Sequence, residues 1–231
     1  MCGRFTLRAP ALILAEVFGI PPLPGLRPRY NIAPTQPIAV VRGAEQRVWS
    51  ELRWGLIPYW AKEASIGNRM VNARAETVAD KPAYREPFAR RRCLIPADGF
   101  YEWQKLGRAR KQPYYLHRAD DRPFAFAGIW DRWRDRRAGG WIDSCALITT
   151  EPNDLVAPIH DRMPVILQPG EFDRWLDPGS GVESLRALLR PTPVGNLVAR
   201  PVTVHVNNAA NDDSACIEPL VAERSPRALF D

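Results

Sequence analysis

Short strand-like segments, interrupted by proline and glycine, dominate this chain of 231 residues and constrain its fold more than any other feature. The 23 prolines and 15 glycines break the sequence before any regular segment becomes long. Between the breaks, apolar residues often share one strand face, as Val48, Leu52 and Trp54 do. Helical segments are interspersed without a regular strand–helix–strand repeat. The pattern predicts an α+β fold with a twisted, mostly antiparallel, barrel-like β-sheet and peripheral short helices.

The expected strands and helices are short and cover most of the chain. We expect strands over residues 2–7, 37–41, 46–54, 93–95, 100–104, 114–118, 124–130, 141–150, 164–167 and 198–206. We expect helices between Pro10 and Gly19 and over residues 81–92, 172–176 and 182–189, with a helical turn over residues 151–158. A proline-rich loop (residues 20–30) and an aromatic-rich loop (WGLIPYW, residues 54–60) connect these elements.

No run of proline, serine or glycine is long enough to be a linker, so the sequence predicts a single domain over residues 1–231. The apolar stretch over residues 10–20 contains Glu16, is too short to span a bilayer and follows no basic segment. We therefore expect a soluble, cytoplasmic protein that does not bind membranes. We also expect it to be a monomer.

Arginine supplies almost all of the positive charge. The formal net charge is +6, and four of the 32 basic residues are lysines. Guanidinium groups suit bidentate contacts with phosphate and stacking on bases. Two explanations stay open for this bias, a polyanionic partner and a GC-rich coding sequence.

The four cysteines do not indicate a metal centre. They stand at positions 2, 93, 145 and 216, form no CxxC pair, and accompany three scattered histidines. We predict no metal and no cofactor. Cys93 and Cys145 lie in apolar runs and are predicted to be inert core residues.

The amino terminus is the first candidate site. Met1 precedes a small residue, so we expect its removal, which gives Cys2 a free α-amine beside its thiol. The α-amine has an ordinary pKa of about 8 and the thiol one of about 8.5, so both are partly deprotonated at neutral pH. Such a 1,2-aminothiol can condense with an aldehyde to a thiazolidine ring. Two other interpretations stay open, an ordinary second residue and an amide-attacking cysteine like that of class II glutamine amidotransferases, which also begin Met-Cys-Gly.

Three polar residues in apolar segments form a second candidate site. Glu102 lies among aromatic residues, where burial would raise its pKa and make it a usable acid or base. His160 could move a proton, and Asn72 could orient an amine. Each also has a structural interpretation, as a surface carboxylate, a loop histidine and a strand-end amide.

Arginines beside aromatic segments indicate a surface for single-stranded nucleic acid, where cations contact phosphates and rings stack on bases. We expect Trp60 to be exposed and Trp54, Trp103 and Trp130 to lie in the core.

Seven segments in this order resemble the SOS-response-associated peptidase (SRAP) family. They are MCGRF, RYNIAPTQ, WGLIPYW, NARAET, CLIPADGFYEW, PIHDRMPVIL and VNNAANDDSACIEP. The resemblance extends from residue 2 to about residue 220. It implies a compact α+β fold, a basic groove for single-stranded DNA and covalent protection of abasic sites, with autoproteolysis and abasic-site lyase activity as accompanying activities.

The resemblance also implies residue roles. Cys2 would form the crosslink, Asn72 would hold its α-amine, Glu102 would act as acid and base, and His160 would assist proton transfer. The resemblance further implies two groups of residues that contact DNA. Phosphates would be bound by Arg4, Arg74 and Arg162. The site where the DNA strand kinks would be lined by Asn31, Pro34 and Trp60.

Two rival hypotheses stay open. An N-terminal-cysteine amidohydrolase or peptidase would use Cys2 without DNA. A single-stranded DNA reader would bind without chemistry.

Overall fold

Two β-sheets form the framework of the computed structural model, which describes residues 2–107 and 110–220. The strands are β1 (Phe5–Leu7), β2 (Arg29–Ile32), β3 (Pro37–Arg42), β4 (Val48–Trp54), β5 (Asn72–Arg74), β6 (Arg92–Ala97), β7 (Gly99–Leu106), β8 (Arg110–Arg118), β9 (Phe124–Arg134), β10 (Trp141–Thr150), β11 (Met163–Pro164), β12 (Ile166–Leu167) and β13 (Leu197–Pro201).

The helices are short and peripheral. They are α1 (Ala11–Phe18), α2 (Arg85–Arg90), α3 (Phe172–Leu176) and α4 (Val182–Arg186), with 3₁₀ turns at Ala64–Arg69, Pro169–Glu171, Val194–Asn196, Val204–Asn207 and Ser214–Ile217. Gly19 ends α1 in the left-handed conformation, as its place in the sequence predicts. Among the described residues, none of the helices has the length and apolar character needed to cross a bilayer.

The larger sheet closes on itself as a five-stranded barrel. Strands β10, β4, β3, β6 and β9 are neighbours in that order, and β9 pairs with β10 over seven residue pairs to complete the ring. The pairs β4–β10 and β5–β10 are parallel, and the other pairings are antiparallel. This arrangement confirms the predicted α+β class and the barrel-like, mostly antiparallel sheet in a single domain.

The second sheet brings the beginning of the chain to the barrel. Its order is β13–β8–β7–β1–β2, with antiparallel pairs throughout. Phe5 of β1 packs edge-on against Trp54 and Phe126 of the barrel, with ring centroids 5.2 and 5.8 Å apart. Burial of this ring anchors the amino-terminal strand in the core.

The register of β1 against β7 determines what lies beside the N-terminus. Phe5 pairs with Phe100, and the backbone N–H of Tyr101 donates to the carbonyl of Arg4 at 3.0 Å. If the same register continues by one residue pair beyond Arg4 and Tyr101, the chain before Arg4 lies alongside Glu102. Met1 lies outside the described residues.

Several predicted boundaries are wrong for identifiable reasons. The helix predicted over residues 81–92 is limited to α2 because Arg92 joins β6, opposite Ile129. The buried Arg92 guanidinium donates to the carbonyls of Phe88 and Ala89 at the end of α2, both at 2.6 Å. The strand predicted over residues 198–206 ends at Pro201.

The predicted core tryptophans differ in burial. Trp54 is fully buried, as predicted. Trp103 and Trp130 are half-buried and pack against the hydrophobic core, so the prediction holds for them only in part. The Trp103 indole N–H bonds the side-chain oxygen of Asn207 at the surface (2.8 Å), and the guanidinium of Arg42 stacks on Trp130. Cys93 and Cys145 are fully buried, which confirms the prediction for them.

Gly99 offers a test of how β7 is packed. A Cβ built at this position would lie 2.2 Å from the hydroxyl oxygen of the buried Tyr115. We expect Gly99→Ala to lower the free energy of unfolding by about 1–3 kcal/mol, because the buried ring of Tyr115 cannot move freely away from the added methyl group. Urea denaturation measures the change. Gly195→Ala, where no atom lies within 4 Å, serves as the control, and equal stability of the two variants would contradict this account.

Candidate active site

Cys2 is fully buried and is held through its backbone. The Asn72 side-chain Nδ2 donates to the carbonyl oxygen of Cys2 at 2.8 Å. Asn72 begins β5, which pairs with β10 of the barrel at Leu147. The barrel wall therefore positions the amide that holds the start of the chain.

The same amide keeps an acceptor beside Cys2. Asn72 Oδ1 is buried and has no hydrogen-bond partner among the described residues. A buried amide oxygen without a donor is costly and uncommon in native proteins. It marks a place where an N–H group would be bound favourably.

Glu102 and His160 form an acid–imidazole pair. His160 Nε2 lies 3.8 Å from Glu102 Oε2, and the Glu102 side chain is 2% exposed. Burial raises the pKa of Glu102 to about 8. Burial also lowers the pKa of His160 below its ordinary value. At neutral pH the site therefore contains a protonated carboxylic acid beside a neutral imidazole.

The thiol of Cys2 belongs to the same site. Burial, and then the nearby Glu102, raise the pKa of the Cys2 thiol well above its ordinary value. The thiol thus stays protonated, and its Sγ lies 3.8 Å from the carbonyl oxygen of Arg4. The structure brings together the four residues predicted as catalytic: Cys2, Asn72, Glu102 and His160.

Asn31 lies beneath the site instead of on its surface. It is fully buried, and its Oδ1 accepts from Arg4 Nη1 at 2.8 Å. Its Nδ2 lies 2.7–3.2 Å from the carbonyl oxygens of Val206, Asn208 and Asn211. Asn31 therefore holds Arg4 and the segment from 206 to 211 in place.

The other two predicted phosphate-binding arginines have different environments. Arg74 is exposed. Arg162 forms a bidentate ion pair with Glu76, at 2.7 and 3.0 Å, and also donates to the carbonyl of Thr149 at 2.6 Å. Its charge is thus largely compensated within the protein.

The aromatic-rich loop presents Trp60 to solvent, with 49% of its surface exposed, while Pro34 is half-buried. Gly55 allows the loop to pass close to Gly67. Its φ is +130°, and a Cβ there would lie 2.5 Å from the Gly67 carbonyl oxygen.

Asp212 is a structural residue of the site that no local sequence signal identified. It accepts from the backbone N–H groups of Tyr30 and Asn31, at 2.5 and 2.8 Å, and pairs with Arg29. The adjacent Asp213 instead caps the turn Ser214–Ile217. The sequence motif contains both aspartates, and their different roles depend on the fold.

One cluster contains possible metal ligands that the cysteine and histidine spacing did not reveal. Ligand atoms of His205, Asp213 and Cys216 lie within 4.8 Å of one another. The Asn211 amide donates to the carbonyl of His205 and, at 3.2 Å, to its Nδ1. That contact leaves the proton on Nε2, which donates to Asp213 at 3.2 Å. His205 and Asp213 are therefore hydrogen-bonded to each other, and the Cys216 thiol donates to the carbonyl of Asn211 at 3.5 Å.

Known proteins are similar to this chain over most of its length. A family model described as SOS response associated peptidase (SRAP) matches residues 1–209. The chain is 42% identical over 224 residues to the abasic site processing protein YoqW of Bacillus subtilis, covering 94% of this chain and 99% of YoqW. It is 32% identical over 226 residues to the abasic site processing protein HMCES of Gallus gallus, covering 84% of this chain and 67% of HMCES.

A solved structure shows the same fold. The crystal structure of a Bacteroides thetaiotaomicron protein superposes with a TM-score of 0.86 at 28% identity, covering 95% of this chain and all of that one.

The buried acid makes stability depend on pH. The folded pKa of Glu102, about 8, lies above its ordinary value of 4.5. The stabilisation from binding this proton is complete below 4.5 and is lost as the pH rises to about 8. We expect Glu102→Gln to gain stability relative to the wild type across this interval and by several degrees in Tm above pH 8.

Thermal unfolding at pH 4 and pH 9 measures this difference. Glu16→Gln, which changes an exposed carboxylate, is the control. A Tm difference between Glu102→Gln and wild type that does not change with pH would show that folding does not raise the pKa of Glu102.

Proposed function

Because this chain belongs to the SOS response associated peptidase (SRAP) family, we propose that it processes abasic sites in DNA. We further propose that, after Met1 is removed, Cys2 forms a covalent thiazolidine crosslink with abasic sites in single-stranded DNA. The observation that carries this proposal is the 2.8 Å contact of Asn72 with Cys2, next to the Glu102–His160 pair, whose facing atoms lie 3.8 Å apart.

The first step opens the deoxyribose ring. An abasic deoxyribose is mostly a closed hemiacetal, and its aldehyde must be released before an amine can attack. Glu102 donates its proton to the ring oxygen as the C1′ hydroxyl loses its own proton to solvent. A carboxylic acid with a pKa near 8 still carries a proton at neutral pH and can make this donation.

The second step joins protein and DNA through nitrogen. The Cys2 α-amine adds to the C1′ aldehyde, and loss of water gives an imine. Asn72 Oδ1, the buried acceptor without a partner among the described residues, suits the N–H of this amine. The Glu102 carboxylate left by the first step takes protons from the amine nitrogen and passes them to the aldehyde oxygen, which leaves as water, while the Nε2–H of His160 donates a hydrogen bond to that oxygen.

The third step closes the ring. The Cys2 thiol adds to the imine carbon, sulfur forms the C–S bond, and the thiol proton ends on nitrogen. One water is released overall, and no oxidant is needed. Closure removes the imine, which would otherwise promote β-elimination and strand cleavage. Lyase activity would follow from β-elimination at the open imine, and autoproteolysis before Cys2 is a separate proposed activity that precedes these steps.

The basic and aromatic residues around the site support binding of a single strand. Arg74 and Trp60 are exposed and available for a phosphate and a base, whereas Arg4 lies half-buried at the site. The net charge of +6 favours a polyanion. Pro34 lies in the turn that follows β2, and we propose that the DNA strand kinks at this turn.

Replacement of the nucleophile tests the crosslink. We expect wild-type protein whose intact mass shows loss of Met1 to give a shifted band with an abasic oligonucleotide on a denaturing gel. Cys2→Ala should give no stable adduct because it lacks the sulfur that closes the ring, while its amine can still cleave the strand. Cys93→Ala, at another fully buried cysteine, should crosslink like wild type.

Absence of a shifted band with correctly processed wild-type protein would refute the crosslink. Turnover of glutamine or peptides without DNA would instead support the amidohydrolase alternative. Unchanged binding and product with Cys2→Ala would support a reader without chemistry.

The role of Arg74 is tested by the salt dependence of binding. In a Cys2→Ala background, Arg74→Ala should weaken affinity for an abasic single strand and reduce the salt slope by about one, because one phosphate contact is lost. Fluorescence anisotropy at several salt concentrations measures both. Arg122→Ala is the control, because Arg122 is an exposed arginine that pairs with Glu16. Equal slopes for both variants would exclude Arg74 from the DNA interface.

A further inference from the structure

Glu76 is connected to His160 through Arg162. Both oxygens of Glu76 accept from the Arg162 guanidinium, which also donates to the Thr149 carbonyl on β10. The Arg162 backbone N–H donates to Nδ1 of His160 at 3.0 Å. Arg162 thus joins the imidazole of His160 to β10 and to the segment that follows β5.

Two contacts at His160 Nδ1 exclude each other. The nitrogen lies 3.0 Å from the Arg162 N–H and 2.9 Å from Asp161 Oδ1. Without a proton, Nδ1 accepts from Arg162 and has no attraction to the carboxylate. With a proton, it donates to Asp161 and loses Arg162. The Asp161 side chain is 88% exposed and free to turn into water. The Arg162 side chain is only 13% exposed, and its guanidinium is held by Glu76 and by the carbonyl of Thr149.

We propose that Glu76 is a positioning residue that, through Arg162, keeps His160 in the tautomer protonated on Nε2, the nitrogen that faces Glu102. We call the contacts of Arg162 with Glu76 and with the Thr149 carbonyl the brace. The brace holds the backbone N–H of Arg162 against His160 Nδ1, so the single proton of the neutral ring resides on Nε2. Without Glu76, the 160–162 turn relaxes and Asp161 draws the proton to Nδ1.

This tautomer matters for the acid. An unprotonated Nε2 at this position would accept a hydrogen bond from the Glu102 carboxyl group and hold its proton away from the sugar oxygen. An Nε2–H group cannot accept it, and instead presents a second donor to the sugar oxygen or to the departing hydroxyl. This consequence rests on the proposed function, whereas the tautomer itself does not.

Nuclear magnetic resonance of the DNA-free protein tests the tautomer. The chain contains three histidines, so long-range ¹H–¹⁵N spectra of the imidazole rings can be assigned by single substitutions, with His117 and His205 as internal references. We expect wild-type His160 to show a protonated Nε2 and an unprotonated Nδ1 at neutral pH. A protonated Nδ1 in the wild type would overturn the proposal whether or not any variant folds.

Variants test the role of Glu76. Glu76→Gln should shift His160 toward the Nδ1–H tautomer, Glu76→Asp should retain the wild-type spectrum, and Glu76→Gln/Asp161→Ala should restore it because the competing acceptor is gone. The matched control is Glu63→Gln, because Glu63 is also half-exposed and pairs with Arg137 at 2.7 Å. Wild-type spectra for Glu76→Gln would overturn the proposal.

Crosslinking separates this inference from the proposed function. At saturating abasic DNA, Glu76→Gln should crosslink more slowly, on the order of tenfold, with partial recovery in the double variant. A shifted tautomer with an unchanged crosslinking rate would overturn the catalytic role of the brace. A wild-type protein that shows the expected tautomer but forms no crosslink would refute the proposed function and leave the tautomer assignment intact.

Discussion

The antiparallel pairing of β1 with β7 is the interaction on which the site depends. It buries Phe5 between rings of the barrel and brings the chain before Arg4 alongside the strand that carries Glu102. An N-terminal segment is ordinarily poorly ordered, and here the apolar contacts of one strand offset the entropy lost when it is held. Cys2, the proposed nucleophile, thereby acquires a defined position beside Glu102.

Burial then determines the chemical state of the groups at this position. The same desolvation that raises the pKa of Glu102 lowers that of His160, because in each case it disfavours the charged form. The result is a neutral acid beside a neutral base with no counter-charge required. Ring opening and dehydration both need a proton donor, so a site of this kind suits aldehyde chemistry better than one containing an ion pair.

Polar side chains hold the surrounding loops in place. Buried Asn31 joins Arg4 to three carbonyls of the segment from 206 to 211. The half-exposed Glu76 pairs with Arg162 and so ties the segment after β5 to the turn that contains His160. Irregular segments have few backbone partners of their own, so such side chains take over the role that ladder hydrogen bonds have in a sheet. The residues expected to contact DNA thus also have structural partners within the protein.

Local pattern was sufficient for the α+β class, for most strands and for a small set of polar residues, since side-chain alternation, proline and glycine act within a few residues. The order of motifs identified the family, and the family resemblance implied one catalytic set made of Cys2, Asn72, Glu102 and His160. Local pattern failed where a partner distant in sequence decides the outcome. Arg92 leaves its helix for β6, and Trp103 turns to Asn207 at the surface. The closure of β9 on β10, the burial of Asn31 and the brace on Arg162 likewise appeared only in the tertiary structure, because hydrogen bonds and desolvation depend on which atoms meet in space.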